Sequence, residues 1–136
     1  MVIILDADVI IRGEKGSFDL HSWLCANANE QFEIAAITVA ELWHSVERAT
    51  GRHKLARLNY LQTMLAPLPV IPYTQQAALE HARIRAKLEA AGKMANAYDL
   101  IVAATAMERA SALATFNKRH FEPIEGLSLI EPGQVN

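Results

Sequence analysis

The chain has a single cysteine, Cys25, among its 136 residues. That excludes an internal disulfide framework and a multi-cysteine zinc site, and it fits a reducing compartment. Long apolar runs are missing as well: none approaches the ~20 residues that a membrane-crossing helix needs. The opening Met1-Val2-Ile3-Ile4-Leu5-Asp6 has no basic flank and meets an acid too early for a secretory leader. Repeats, linkers and low-complexity stretches are absent too. Basic charge is not in excess, since 13 Lys and Arg face 15 Asp and Glu for a net charge of −2. Any nucleic-acid function must therefore be argued from a site and not from the charge of the whole chain. What is present is apolar: 51% hydrophobic residues against 21% charged ones rules out a disordered chain. The length suits one domain over residues 1–136. A chain of this size buries roughly 70% of its unfolded surface, enough for its own core. The expectation is a cytoplasmic globular domain with no membrane partner.

Strand and helix patterns alternate. Val2 to Leu5 is a continuous apolar run, as in a strand buried on both faces. Val9 to Ile11 suggests a short helical turn, and Gly13 to Gly16 a loop. Phe18 to Ala28 has helical spacing. Ile34 to Ile37 reads as a second strand, followed by a helix from Thr38 to about Thr50 with Gly51 just past its end. Arg52 to Ala66 is a helix with an apolar stripe of Leu55, Leu58, Leu61, Met64 and Leu65. Val70-Ile71 is a third strand, Thr74 caps a helix to Ala91, and Gly92 closes it. Ala97 to Ala110 has little polar surface and should be a buried helix. Ala112 to Thr115 and Ser128 to Ile130 complete the set. Such alternation predicts an α/β sandwich around a mainly parallel sheet.

Polar groups meet this sheet at four places. Asp6 directly follows the first strand, where open α/β folds gather ligands; it is either a catalytic or metal-binding acid or an N-cap. Asp8, two residues on, is favoured as the cap. Glu41 lies in Thr38-x-x-Glu41, which on its own is most simply a capping box, although the same carboxylate suits a metal. Asp99 follows Asn96 at the start of the apolar helix, and an acid there needs a partner because an unpaired buried charge is costly. Thr115, Asn117 and His120 follow the fourth strand, in what is most simply an ordinary turn. Three acids converging on one sheet edge would repel unless a cation or a shared proton compensated. Hard carboxylate oxygens suit Mg²⁺ or Mn²⁺ better than zinc. Such an ion can activate water against a phosphodiester.

Four segments then resemble, in order, the PIN-domain family, and within it the VapC-type ribonuclease toxins of bacterial toxin–antitoxin pairs. They are Ile4-Leu5-Asp6-Ala7-Asp8-Val9-Ile10, Ile37-Thr38-Val39-Ala40-Glu41-Leu42, Ala97-Tyr98-Asp99-Leu100-Ile101-Val102-Ala103-Ala104-Thr105-Ala106 and Leu113-Ala114-Thr115-Phe116-Asn117-Lys118-Arg119-His120-Phe121. The resemblance implies a three-layer α/β/α sandwich with a five-stranded sheet. It implies a Mg²⁺- or Mn²⁺-dependent endoribonuclease acting on structured RNA of the tRNA or rRNA class, with Asp6, Glu41 and Asp99 as catalytic and metal-binding acids. Glu41 would reach the metal through water. Asp8, Thr115, Asn117 and His120 are further site contacts, His120 standing where many members carry a fourth acid. The resemblance also implies a homodimer and a VapB-like antitoxin partner. Two other readings stay open: a catalytically weak PIN-like binding module, and a phosphatase of the haloacid-dehalogenase type with Asp6 as nucleophile. His21, His44, His53 and His81 show no metal-ligand spacing and are read as surface or interface residues. Arg48, Arg52, Lys54 and Arg57 form a basic run suited to a solvated face or to phosphates. Cys25 is read as a small buried hydrophobe.

Overall fold

The computed structural model describes residues 1–133; the last three residues of the expected 1–136 domain lie outside them. Five strands, β1 (Val2–Leu5), β2 (Gln31–Ala35), β3 (Val70–Ile71), β4 (Ala112–Ala114) and β5 (Leu129–Ile130), form one sheet in the order β3-β2-β1-β4-β5. Every pairing is parallel. The all-apolar β1 lies in the middle, as its composition requires. Alternate residues of β1 serve opposite faces. Ile3 and Leu5 join a core built from α1 (Ala7–Lys15), α2 (Leu20–Ala26), α3 (Ala36–Arg48) and α4 (Gly51–Leu65). Ile4 joins a second core with α5 (Gln75–Ala90), α6 (Ala97–Glu108) and Phe121 of the short α7 (Lys118–Phe121). This is the expected three-layer α/β/α sandwich. Among the described residues no helix is long and apolar enough to cross a membrane.

Several boundaries differ from the expectation. β2 starts at Gln31 and ends at Ala35, and α3 begins at Ala36 instead of Thr38. Polar residues disguised this strand: Glu33 is buried within it because Arg109 grips it with two hydrogen bonds of 2.8 and 2.6 Å. α1 is a full helix that runs through Gly13, where a turn and a loop were expected. A Cβ at Gly13 would lie 2.6 Å from Tyr60 Oη and 2.9 Å from Leu20 Cβ, so the glycine is what lets α2 and α4 close on α1. Gly51 does not close α3; it opens α4 at φ +57°, after a cap at Ala49. Thr74 and Gly92 do bound α5 as expected: Thr74 Oγ1 accepts the Ala77 N–H at 3.1 Å, and Gly92 turns the chain at φ +69°. The apolar stripe of α4 is only partly core. Leu61 and Leu65 are buried and Leu55 is exposed. Cys25 is exposed on α2 instead of buried, because Leu20 and Trp23 supply that helix's inward face.

Candidate active site

In a parallel sheet with antiparallel helices, residues just after a strand and in the first turn of the returning helix share one edge. Asp6 follows β1, Thr115 follows β4, and Asp99 is the third residue of α6. Asp6 is buried and both its oxygens are used. Oδ1 accepts the Ala7 N–H at 2.9 Å, which makes Asp6 the N-cap of α1, and Oδ2 accepts the Thr115 hydroxyl at 2.8 Å. Asp6 is thus both cap and site-edge acid, whereas Asp8 is not the cap. Asp8 instead reaches across to the segment after β4, where its Oδ2 accepts the Phe116 N–H at 3.0 Å. The physical reason is position: the residue directly ending β1 already has the extended backbone that a cap needs, at φ −74° and ψ 156°.

Glu41 is freed from the capping role by the early start of α3. The N-cap is Ala35, which has no side-chain cap bond, so Thr38 is the third residue of the helix and Glu41 the sixth. The Thr38 hydroxyl is buried and unpartnered among the described residues. Asn96 caps α6 by accepting the Tyr98 and Asp99 N–H groups at 2.8 and 3.2 Å, leaving the Asp99 carboxylate available. His120 Nδ1 stands 3.7 Å from Asp99 Oδ2. It is the partner that sequence proximity did not supply. Asn117 contributes its backbone N–H, bonded to Thr115 Oγ1 at 3.0 Å.

The electrostatics tie these acids together. Burial, then the neighbouring Asp6 charge, pushes the Asp8 carboxyl up to about 6. Burial, then Asp6 and Asp99, pushes Glu41 up to about 7. Asp99 is raised by burial and by Asp6, with His120 pulling the other way. Asp6 is raised by burial against the opposing bonds from Thr115 and Ala7. Among the described residues no Lys or Arg forms an ion pair with any of the four. Sequence reasoning missed two supports. Arg12 stacks over Phe116 at 4.4 Å and its charge steadies Asp8; its position one helical turn after Asp8 was the available signal. The Phe116 N–H had no sequence signal.

A cluster of hard, mutually repelling oxygens suits a hard divalent cation. Among the described residues no group of three acids, imidazoles or thiols lies together at metal-holding distance. An ion there would be held by fewer protein oxygens with water completing its shell, which is the habit of Mg²⁺.

Known proteins share both sequence and architecture with this chain. The family model of the PIN domain matches residues 3–126. The VapC ribonuclease Y4jK of Sinorhizobium fredii is 30% identical over 137 residues, covering 96% of this chain and 97% of its own. Ribonuclease VapC1 of Rickettsia felis is 27% identical over 134 residues, covering 96% of each. Among solved structures, DNA-bound VapBC from Salmonella typhimurium superposes with a TM-score of 0.86 at 27% identity, over 96% of this chain and 97% of that one. The fold alone is shared with VapBC2 from Rickettsia felis bound to a promoter DNA fragment, at TM-score 0.88 and 24% identity over 96% and 98% of the two chains.

Proposed function

Because the chain belongs to the PIN-domain family, and within it to the VapC-type ribonucleases, we propose that it is a divalent-metal-dependent endoribonuclease toxin. It cleaves structured RNA of the tRNA or rRNA class in the cytoplasm and so stops translation. The observation that carries this reading is that Asp6, Glu41 and Asp99 come from three separate elements and yet lie within electrostatic reach: Asp6 and Asp99 both raise the proton affinity of Glu41, and Asp6 raises that of Asp99. Asp6 and Asp99 would hold Mg²⁺ or Mn²⁺, with Glu41 reaching it through water. When bound, the ion supplies Lewis acidity toward a phosphate oxygen and makes water easier to deprotonate. The chain's own groups do the rest. Thr115 fixes the Asp6 carboxylate by a 2.8 Å bond. Glu41, close enough to Asp6 and Asp99 to feel both charges, would take a proton from the attacking water. His120, beside Asp99 and largely exposed, offers a donor to a phosphate oxygen. Asp8, held by the Phe116 N–H, adds negative charge toward the ion.

Two structural relatives are VapBC complexes on DNA. That supports a VapB-like antitoxin as this chain's partner, and the proposal includes a homodimeric toxin within a larger assembly. The test is brief induction of the free chain followed by sequencing of RNA 5′ ends, with purified protein assayed on the identified RNA with Mn²⁺ and with EDTA. Cleavage that needs the ion, disappears in Asp99→Asn and is silenced by the co-expressed antitoxin is the expected result. Full cleavage in EDTA, or by Asp99→Asn, would overturn it.

A further inference from the structure

We infer that the cavity between the C-terminal half of α5 and the connection from α7 to β5 is a subsite for an RNA nucleotide flanking the cut, an inference that rests on the ribonuclease reading above. The cavity holds 280 Å³, near the lower end of the ~300–1,000 Å³ typical of ligand pockets. Its floor is apolar: Ile84 and Leu88 from α5 and Ile124 after α7, all buried. Its rim is cationic, with Arg83, Lys87 and Lys93. Arg83 is engaged by Glu80 at 2.7 Å, while among the described residues Lys87 and Lys93 have no carboxylate within 4.0 Å. Glu125 is the one acid in the lining. The backbone at Lys93 is fixed by the turn after α5, where its N–H bonds the Leu88 carbonyl at 2.8 Å.

The cavity adjoins the cleft that holds Asp99. Pro123 lines both it and the neighbouring cleft that contains Asp99, Arg119 and His120. Lys93 and Met94 are consecutive, the first lining the cavity and the second the cleft. A strand whose phosphate lies at Asp99 and His120 therefore passes over Pro123 into the cavity. There the ammonium groups meet the next phosphate as point charges, and the aliphatic floor receives the face of a base or sugar.

The experiment uses the Asp99→Asn chain, which keeps substrate uncut, and a fluorescently labelled stem-loop RNA titrated across a salt series. Lys87→Glu/Lys93→Glu is compared with a charge-matched pair of exposed residues outside the cavity's lining, Lys15→Glu/Arg85→Glu. The lysine pair should weaken binding about tenfold near physiological salt and reduce the salt slope by about 1.4, two contacts at ~0.7 each. The control pair should change both far less. Lys87→Gln/Lys93→Gln should act in the same direction and serves if charge reversal disturbs folding. Unchanged RNA affinity in the lysine variants, or equal weakening by both pairs, would overturn the inference. So would 5′-AMP binding at the lysines as tightly as RNA, which would assign the cavity to a free nucleotide. The unmutated chain, assayed for cleavage with Mn²⁺ in parallel, separates the two readings. If it cuts RNA while the lysine pair binds RNA as before, only the subsite falls; if it neither binds nor cuts, the ribonuclease reading falls with it.

Discussion

Replacing Glu41 by Gln removes one charge from the acid cluster at almost constant shape. Burial, and then the neighbouring acid charges, raise Glu41 to about 7 and Asp8 to about 6 from ordinary values of 4.5 and 3.8. Raised carboxyls bind protons more tightly in the folded chain. Their contribution to stability is therefore fully present below about pH 4 and is lost as pH rises toward 6 and 7. In EDTA, melts of Glu41→Gln and the unmutated chain should diverge in favour of the variant between pH 5 and 8, while cleavage with Mn²⁺ falls sharply in the variant. Full activity in Glu41→Gln would remove Glu41 from the site. Thr115→Val tests the clamp on Asp6 in the opposite direction. It strands a buried carboxylate oxygen and should cost ~1–3 kcal/mol by thermal or urea unfolding. At this scale the placement of Asp6 and Asp99 was legible, because one follows a strand and the other lies in the first turn of a helix, whereas Glu41 lies deeper in its helix than its sequence pattern suggested. Their division of labour was not. Asp6 and Asp8 exchanged the cap, and His120 reached Asp99 across 21 positions that no local pattern spans.

The turn after α6 holds Ala110 at φ +54°, a left-handed conformation that side chains resist, while Ser111 N–H closes the turn onto the Ala106 carbonyl at 2.9 Å. Glycine adopts that geometry freely, and Ala110 is exposed. Ala110→Gly should therefore raise stability by ~1 kcal/mol, read as a higher melting temperature. Gly13→Ala should do the reverse by ~1–3 kcal/mol, since its Cβ would press on Tyr60 and Leu20 at the junction of three helices. Elements whose sequence pattern matched their packing, β1, α5 and α6, were readable from the residues. β2 was not, because a strand that places Glu33 under Arg109 looks polar until its partner 76 positions away is known. That displacement moved the start of α3 by two residues, and with it went the capping box that had competed for Glu41.

For the whole molecule, the acids set its response to cations. A divalent ion that binds the folded chain alone should stabilise it by ~2.7 kcal/mol at a hundred times its dissociation constant. Melts with saturating Mn²⁺ and with EDTA check this, and identical midpoints would count against a metal site. The parallel sheet has a further consequence in time. β1 sits at its centre but is made before its neighbours, and the hydroxyl that clamps Asp6 lies 109 positions later, just after the strand β4 that pairs beside it. Asp99 and His120 are also in the last third of the chain. A growing chain therefore carries Asp6 out of the ribosome long before the groups that complete the cluster exist, so the carboxylates cannot assemble beside the RNA of the machine that makes them until the segment after β4 has emerged.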